Sequence, residues 1–456
     1  MSLQPWRERF NRSRFSTLWI AGPIDRGSPG DAAGAGALFL LACAATLTIW
    51  IRDPFSAWGY EICAFALGAR SCWRAGCRGG MIALAIAGIS VWGFAQLALD
   101  ATVYRYATMQ ASLHWVALGA TAWAAAGALH HRPLQLRFLR AFVRFGVGLS
   151  VAAVLEYYTS SGRVFWIFDS GYPDVWGPFL SRNNFAEFLE LVLPVALWLA
   201  ATDGDKISCE LGCIQNDYAE TERDPAGPPG GSLCRRRPQE RKSGWTYAVI
   251  AAAILAAGLA SASRAGAVIL LIETAAVLGL LRSRSRLRAG ILLRLAASTA
   301  ALVAVAGAGP LSRRILLPDP FSDRRELAHS TLAMIAANPW RGFGLGTFER
   351  VYPAYATFDS GAIVDHAHDD WLEWTSEGGL PFTLLWTGLL LASTRAAFRS
   401  VWGLGVPAIF LHAAVDYPFA RLGVAAWVFI LIGLLGVNAE RTGSGGSEQG
   451  AVDGIG

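Results

Sequence analysis

The sequence predicts an all-α, polytopic integral membrane protein, and three observations predict it. Of 456 residues, 54% are hydrophobic and only 16% are charged, well below the roughly 25% charged residues of soluble domains. The apolar residues come in long blocks, such as "AGALFLLACAATLTIW" (35–50), "MIALAIAGISVWGFAQLAL" (81–99) and "VAAWVFILIGLLGV" (424–437). These blocks lack the alternation of barrel strands, and only helices or closed barrels satisfy their backbone in lipid.

A hydrocarbon core of ~30 Å takes about 20 helical residues. Hydropathy on that scale places about twelve spans, at 33–51, 56–70, 79–99, 111–129, 138–157, 183–201, 245–261, 265–281, 289–308, 378–394, 401–417 and 421–438. In chain order, residues 1–32 form a basic N-terminus, "MSLQPWRERFNRSRF" at its start. No short apolar stretch and small-residue cleavage site follow it, so no cleaved signal peptide is expected. Residues 33–201 hold the first six spans, with an outer loop near 159–182 whose Trp and Tyr suit the membrane interface. Residues 202–244 are polar and rich in Pro and Gly, as a flexible loop is. Spans seven to nine fill 245–308, and a large loop occupies 309–377 between the ninth and tenth. The last three spans fill 378–438, and the tail 439–456, with "GSGGSEQG", reads as disordered.

Orientation follows from charge. With both ends in the cytoplasm, the inner segments include "RERFNRSRF", "ARSCWRAGCR", "HHRPLQLRFLR", "CRRRPQERK" and "RSRSRLR". They hold about 25 of the 39 Lys and Arg, as the positive-inside rule expects. The net charge of +5 is therefore topology, and a nucleic-acid partner is not expected. Cys72, Cys77, Cys209, Cys213 and Cys234 fall in the inner loops and Cys43 and Cys63 in spans, so no outer disulfide is implied. "CELGC" lacks a second pair and histidines, which argues against a metal site there.

The unusual residues collect on the outer side. Arg182, in "LSRNNFAEFLE", lies at the outer end of the sixth span, and Arg264, in "ASASRAG", lies in the tight outer turn between the seventh and eighth. Arg324, Arg325 and Arg341 fall in the large loop. Arginine is scarce on that side, so each needs a reason. A guanidinium is a rigid, permanently charged fork that grips phosphate with two bonds, and several at an outer surface suit a lipid-linked diphosphate. The alternative is that Arg264 snorkels to headgroups or pairs with Glu187 or Glu190.

The large loop carries a helical pattern over 322–337, with Leu327, Thr331, Met334 and Ile335 on one face and Ser322 placed to cap it. "NPWRGFGLGTF" then marks a turn, and a second helix is expected from about 366. That helix starts in "DHAHDDWLEW" (365–374), where His366 and His368 sit among Asp365, Asp369, Asp370 and Glu373. Imidazole takes a proton near neutral pH, so one histidine suits a general base or an orienter of an acceptor hydroxyl. The cluster could instead cap a helix. Metal binding fits less well, because residues two apart on a helix face different ways and no HExxH pattern is present.

"SRNNFAEFLELVLP", "SASRAG", "NPWRGFGLGTFERVYPAY", "HAHDDWLEWTSEGGLP" and "HAAVDYPF" occur in this order across roughly 180–420. Together they resemble the signatures of the O-antigen ligase and O-antigen polymerase superfamily of bacterial inner-membrane glycosyltransferases. The resemblance implies a metal-independent, inverting enzyme without cofactor, working on the periplasmic face. Its donor would be an undecaprenyl-diphosphate-linked glycan, and its acceptor a lipid A-core sugar or another glycan. Carried over, Arg182 and Arg264 match the arginines that hold the donor diphosphate, and His368 matches the catalytic histidine. Arg324 or Arg325 matches a further loop arginine. Two departures stand out: Asn184, where the family often has His, and Asp369, where it often has Asn. A carboxylate beside His368 would favour the protonated ring and weaken it as a base. The rivals are a transporter or flippase for lipid-linked glycans, which needs charge deep in the spans, and a non-catalytic envelope-assembly scaffold.

Overall fold

A computed structural model describes residues 29–51, 54–75, 80–202, 241–287, 289–306, 322–357, 361 and 363–452. Most of the basic N-terminus and of the 202–244 loop, and the start of the 309–377 loop, lie outside the described residues. So do Cys77, Cys209, Cys213 and Cys234 and the side chain of Ser322.

The helices in chain order are α1 (Pro29–Leu47), α2 (Pro54–Ala75), α3 (Gly80–Ala98), α4 (Arg105–Ala128), α5 (Arg132–Thr159), α6 (Arg182–Thr202), α7 (Arg241–Ala260), α8 (Arg264–Ser283), α9 (Ala289–Ala306), α10 (Ser322–Ala337), α11 (Phe348–Val351), α12 (Asp370–Arg399), α13 (Gly405–His412) and α14 (Leu422–Val452). Between α5 and α6, two-residue strands β1 (Arg163–Val164) and β2 (Phe168–Asp169) pair antiparallel. The expected all-α class is what forms among the described residues.

Six of these helices, α1, α3, α5, α6, α8 and α14, are long and apolar enough to cross a membrane. The other expected spans fall on helices that are shorter or less apolar. α6 and α14 are central: 89% and 83% of their apolar windows are buried by other helices, so they meet protein rather than lipid. Trp427 of α14 stacks on Phe142 of α5 at 4.3 Å, a ring pair that adds to plain area burial.

Two expectations are corrected. The eleventh span, 401–417, is not one helix: a 3-10 turn (Val401–Gly403) precedes α13, which ends at His412. Eight helical residues rise only ~12 Å. The cause is local. Pro194 inside α6 has no N–H to give the Glu190 carbonyl, and Gly405 packs on that carbonyl so closely that a Cβ would stand 2.5 Å from the oxygen. The second correction is at the C-terminus, where α14 runs to Val452 instead of stopping at 438. Helix propagation needs only local hydrogen bonds, so it continues past the packed core, which ends near Val437.

α12 is bent in a way that anchors the outer loop. Gly379 has φ +74 inside it, and Pro381 follows. Pro381 leaves the Glu377 carbonyl without its helical donor, and Gln96 Nε2 and Gly344 N–H both donate to it at 2.8 Å. The Glu377 carboxylate in turn accepts from the N–H groups of Gly346 and Phe348, each at 2.8 Å. The turn 338–348 is thus stitched to the bend and to α3. α10 lies against the same region, with Leu327, Thr331 and Met334 buried as the pattern predicts; Ile335 is half-buried.

Candidate active site

The site forms where α6, α8, α10 and the start of α12 meet the turn after α13. Arg182 and Arg264 are the first residues of α6 and α8, so both helices point their positive ends at the same place. The two termini are tied together. Ser263 caps α8 by accepting from Gly266 N–H at 3.1 Å and donates to Asn183 Oδ1 of α6 at 2.9 Å.

A cavity of about 810 Å³ opens there, lined by Arg182, Arg264 and Arg324. Ser181, Asn183 and Asp174 add polar groups, while Val268, Ile269, Ile272 and Leu411 form an apolar wall. Arg182 lies 3.8 Å from Asp174. Three guanidinium groups and two helix N-termini around one space can hold an anion, and the apolar wall has the chemistry of a lipid tail's surroundings.

Behind this cavity lies a residue of the "HAAVDYPF" segment whose position the sequence does not reveal. Asp416, in the turn after α13, is 2% exposed. Its Oδ2 accepts from Asn183 Nδ2 and lies 3.7 Å from Arg324. Its Oδ1 accepts from Tyr417 N–H at 3.1 Å and meets His368 Nδ1 at 3.3 Å. Burial alone would raise this carboxyl, but the hydrogen bond from His368 and the charges of Arg324 and His412 hold it below the usual carboxylate range. The turn is fixed to α12: Asp370 N–H donates to the Ala413 carbonyl at 2.8 Å, and the Asp370 carboxylate accepts from Phe419 N–H at 3.1 Å.

His368 has φ +52, in the left-handed region, and its side chain is 36% exposed. Its Nδ1 is engaged by Asp416. The α12 helix starts at Asp370, not near 366, because Asp369 caps it by accepting from Leu372 N–H at 3.0 Å. Asp369 therefore faces the helix end, and the carboxylate at His368 is Asp416. Burial pushes Asp369 up to about 6, against the hydrogen bonds from Leu372 and Trp371.

His366 plays a different part. Its Nδ1 meets Glu373 Oε1 at 2.9 Å, and its ring stacks on Tyr417 at 4.5 Å, while His368 meets the same ring edge-on at 4.7 Å. Burial pulls the His366 pKa down, but Glu373 outweighs this and raises it. Tyr417 also lines a smaller cavity of about 330 Å³, with Asp365, Arg421 and Asn184. The two cavities share Tyr172, Leu180 and Ser181.

Not every sequence-predicted residue converges. Arg325 is exposed on α10 and does not line the arginine cavity, because it sits ~100° round the helix from Arg324. Arg341 is exposed in the turn before the bend, where its backbone carbonyl accepts from Gln96 Nε2 at 2.9 Å. His366 and His368 share the Tyr417 ring but engage different carboxylates, Glu373 and Asp416. The described groups close enough to share a metal ion here are Glu187, His412 and Asp416, all buried. Each already has a protein partner: Glu187 accepts from Asn184 at 2.9 Å, His412 meets Glu190 at 2.8 Å, and Asp416 holds Asn183 and His368.

A family model described as O-antigen ligase matches residues 248–387. That stretch carries Arg264, Arg324, Arg325, Arg341, His366 and His368; Arg182 and Asp416 lie outside it. No curated protein matches the chain. The match supports the O-antigen ligase superfamily that the motifs resemble. It implies a glycosyltransferase-like role in polysaccharide biosynthesis and, with the apolar helices, a multi-pass bacterial membrane protein.

Proposed function

We propose, from the O-antigen ligase match and the arginine-lined cavity together, that the chain moves a glycan from a lipid diphosphate onto an acceptor hydroxyl. The observation that carries this reading is the convergence of Arg182, Arg264 and Arg324 on one apolar-walled cavity, joined through Asp416 to His368. The donor is an undecaprenyl-diphosphate-linked glycan. Its diphosphate sits against the three guanidinium groups and its lipid tail leaves along Val268, Ile269 and Ile272.

The acceptor oxygen attacks the anomeric carbon while the bond from that carbon to the diphosphate oxygen breaks. The bonding pair goes to the diphosphate, and the arginines neutralise the charge that grows there, work that needs no metal ion. His368 donates its Nδ1–H to Asp416, so Nε2 carries the lone pair that takes the acceptor proton. Attack opposite the leaving group inverts the anomeric centre. The smaller cavity beside Tyr417, with Asp365 and Arg421, offers hydrogen-bond partners for the acceptor sugar, whether lipid A-core or a second glycan. In this orientation the site faces the periplasm. The interior charge that a flippase path requires is sealed: Glu187, Glu190 and His412 are 0% exposed.

Deletion of the gene in its own host tests this reading, with envelope glycans resolved on a gel. Wild type should restore the surface polymer, while Arg264→Ala and His368→Ala at matched expression should not. Accumulated lipid-linked polymer in the deletion would mark a ligase, and single-repeat products a polymerase. Full restoration by both variants would overturn the transfer reading.

A further inference from the structure

A second charged cavity lies at the other end of the bundle and has no part in the transfer chemistry. α8 starts at the active site with Arg264 and runs to Ser283, and α12 runs from Asp370 to Arg399. Twenty helical residues put the far end of α8 about 30 Å away, and α12, with 30 residues, reaches at least as far. The hollow between them measures about 380 Å³ and is lined by Arg132, Arg284, Arg286, Arg399 and Arg441. Among the described residues that line it there is no Asp or Glu.

The positive-inside rule accounts for arginines at this end. It does not account for five of them on one concave wall, drawn from the start of α5, the end of α8, the end of α12 and α14. One has a structural task. Arg284 donates from Nη1 to the Arg399 carbonyl at 3.1 Å and from Nη2 to the Phe398 carbonyl, placing a cation at the C-terminus of α12, where the helix dipole favours it. Arg132 is the reverse case. It is the first residue of α5, where the dipole is already positive and disfavours a cation. That arrangement becomes favourable once an anion sits between the helix end and the guanidinium groups.

The volume lies in the ~300–1,000 Å³ range of ligand sites, and Trp198 and Trp402 in the lining suit the headgroup level of a bilayer.

We propose that this hollow binds a phosphate oxyanion at the membrane face away from the active site, held by Arg132, Arg286, Arg399 and Arg441. The same chemistry is presented by the headgroup of an anionic phospholipid and by free inorganic phosphate.

The full chain, purified in a neutral detergent, distinguishes these sources. Phosphatidylglycerol and phosphatidylcholine are added in turn and retained lipid is read by native mass spectrometry. The thermal midpoint is read with inorganic phosphate against chloride at equal ionic strength. The proposal expects phosphatidylglycerol to be retained at least about tenfold over phosphatidylcholine, or phosphate to raise the midpoint where chloride does not. The first result alone assigns a lipid headgroup. The second, with displacement of phosphatidylglycerol by phosphate, assigns a small anion. The double variant Arg132→Gln/Arg286→Gln, which spares Arg284, should lose about tenfold or more of this binding. Should that variant fail to fold, Arg286→Lys tests the same site, since it removes the fork without removing charge. Equal retention of the two lipids with no phosphate effect, or wild-type binding in every folded variant, overturns the proposal.

Discussion

The Nδ1 atom of His368 lies 3.3 Å from Oδ1 of Asp416, a residue 48 positions further along the chain. Asp416 is buried and held on its other side by Asn183 and Arg324. The pair therefore joins the exposed imidazole to the arginine-lined cavity through one carboxylate. In the proposed mechanism that carboxylate fixes the histidine tautomer.

Asp416→Asn tests this directly. The amide keeps the shape but can turn its N–H₂ toward Nδ1, which would put the proton on Nε2 and block it as a base. Transfer should fall by roughly 10²–10⁴-fold, and the thermal midpoint should fall as well, because the turned N–H₂ also faces the Tyr417 N–H donor. Turnover measured on the purified variant is the check, and near-wild-type turnover would remove Asp416 from the mechanism.

The two loop arginines separate by position. Arg324 lines the cavity and meets Asp416, whereas Arg325 is exposed. Arg324→Ala should lower transfer by at least about 100-fold, the scale of one lost charge-stabilising group. Arg325→Ala should stay within a few-fold, as exposed substitutions usually do. Equal losses in a side-by-side assay would contradict the placement.

Asp369 predicts a pH effect of a particular sign. Its folded pKa of about 6 lies above the ordinary 3.8, so protonation favours the folded state. Its contribution is fully present below the unfolded value and is lost as pH rises through about 6. Asn caps a helix as well as Asp and carries no charge. Asp369→Asn should therefore raise the thermal midpoint at pH 7.5, with the gain shrinking toward pH 4. A gain that does not change with pH would show that Asp369 carries no such penalty.

The bend in α12 predicts a structural effect. A Cβ at Gly379 would stand 2.4 Å from the Trp340 carbonyl oxygen, with φ at +74. Gly379→Ala should cost at least about 1–3 kcal/mol from the backbone alone. Gly388, in the same helix with nothing within 4 Å of its Cβ position, is the control, and Ala there should be neutral or stabilising by about 0.5–1 kcal/mol. Thermal midpoints of the two variants decide; similar values would contradict the strained bend.

The sequence carried much of this site because membrane topology makes certain residues conspicuous. Arg182 and Arg264 stand out as arginines on the side where arginine is scarce, and both line the cavity. The choice between Arg324 and Arg325 was illegible, because only packing fixes the rotation of α10. Asp416 was visible in "HAAVDYPF", but its contact with His368 depends on the turn after α13 folding back onto α12. The same turn explains the misread eleventh span: hydropathy registers that 401–417 is apolar, not that Gly405 must press against the α6 backbone at Glu190. Adjacency makes Asp369 the expected carboxylate at His368, although it turns away to cap α12. Adjacent positions in sequence said nothing about which carboxylate the ring would meet.

In the proposed mechanism Arg182, Arg264 and Arg324 hold the donor diphosphate while His368 and Asp416 activate the acceptor. The most direct measurement is single-turnover release of undecaprenyl diphosphate from a lipid-linked glycan by the purified chain in proteoliposomes, with acceptor supplied. Wild type should release it only when acceptor is present. Arg264→Ala should bind donor weakly and release slowly, and His368→Ala should bind donor normally with release slowed about 100-fold or more. Release at the wild-type rate by both variants would contradict the mechanism.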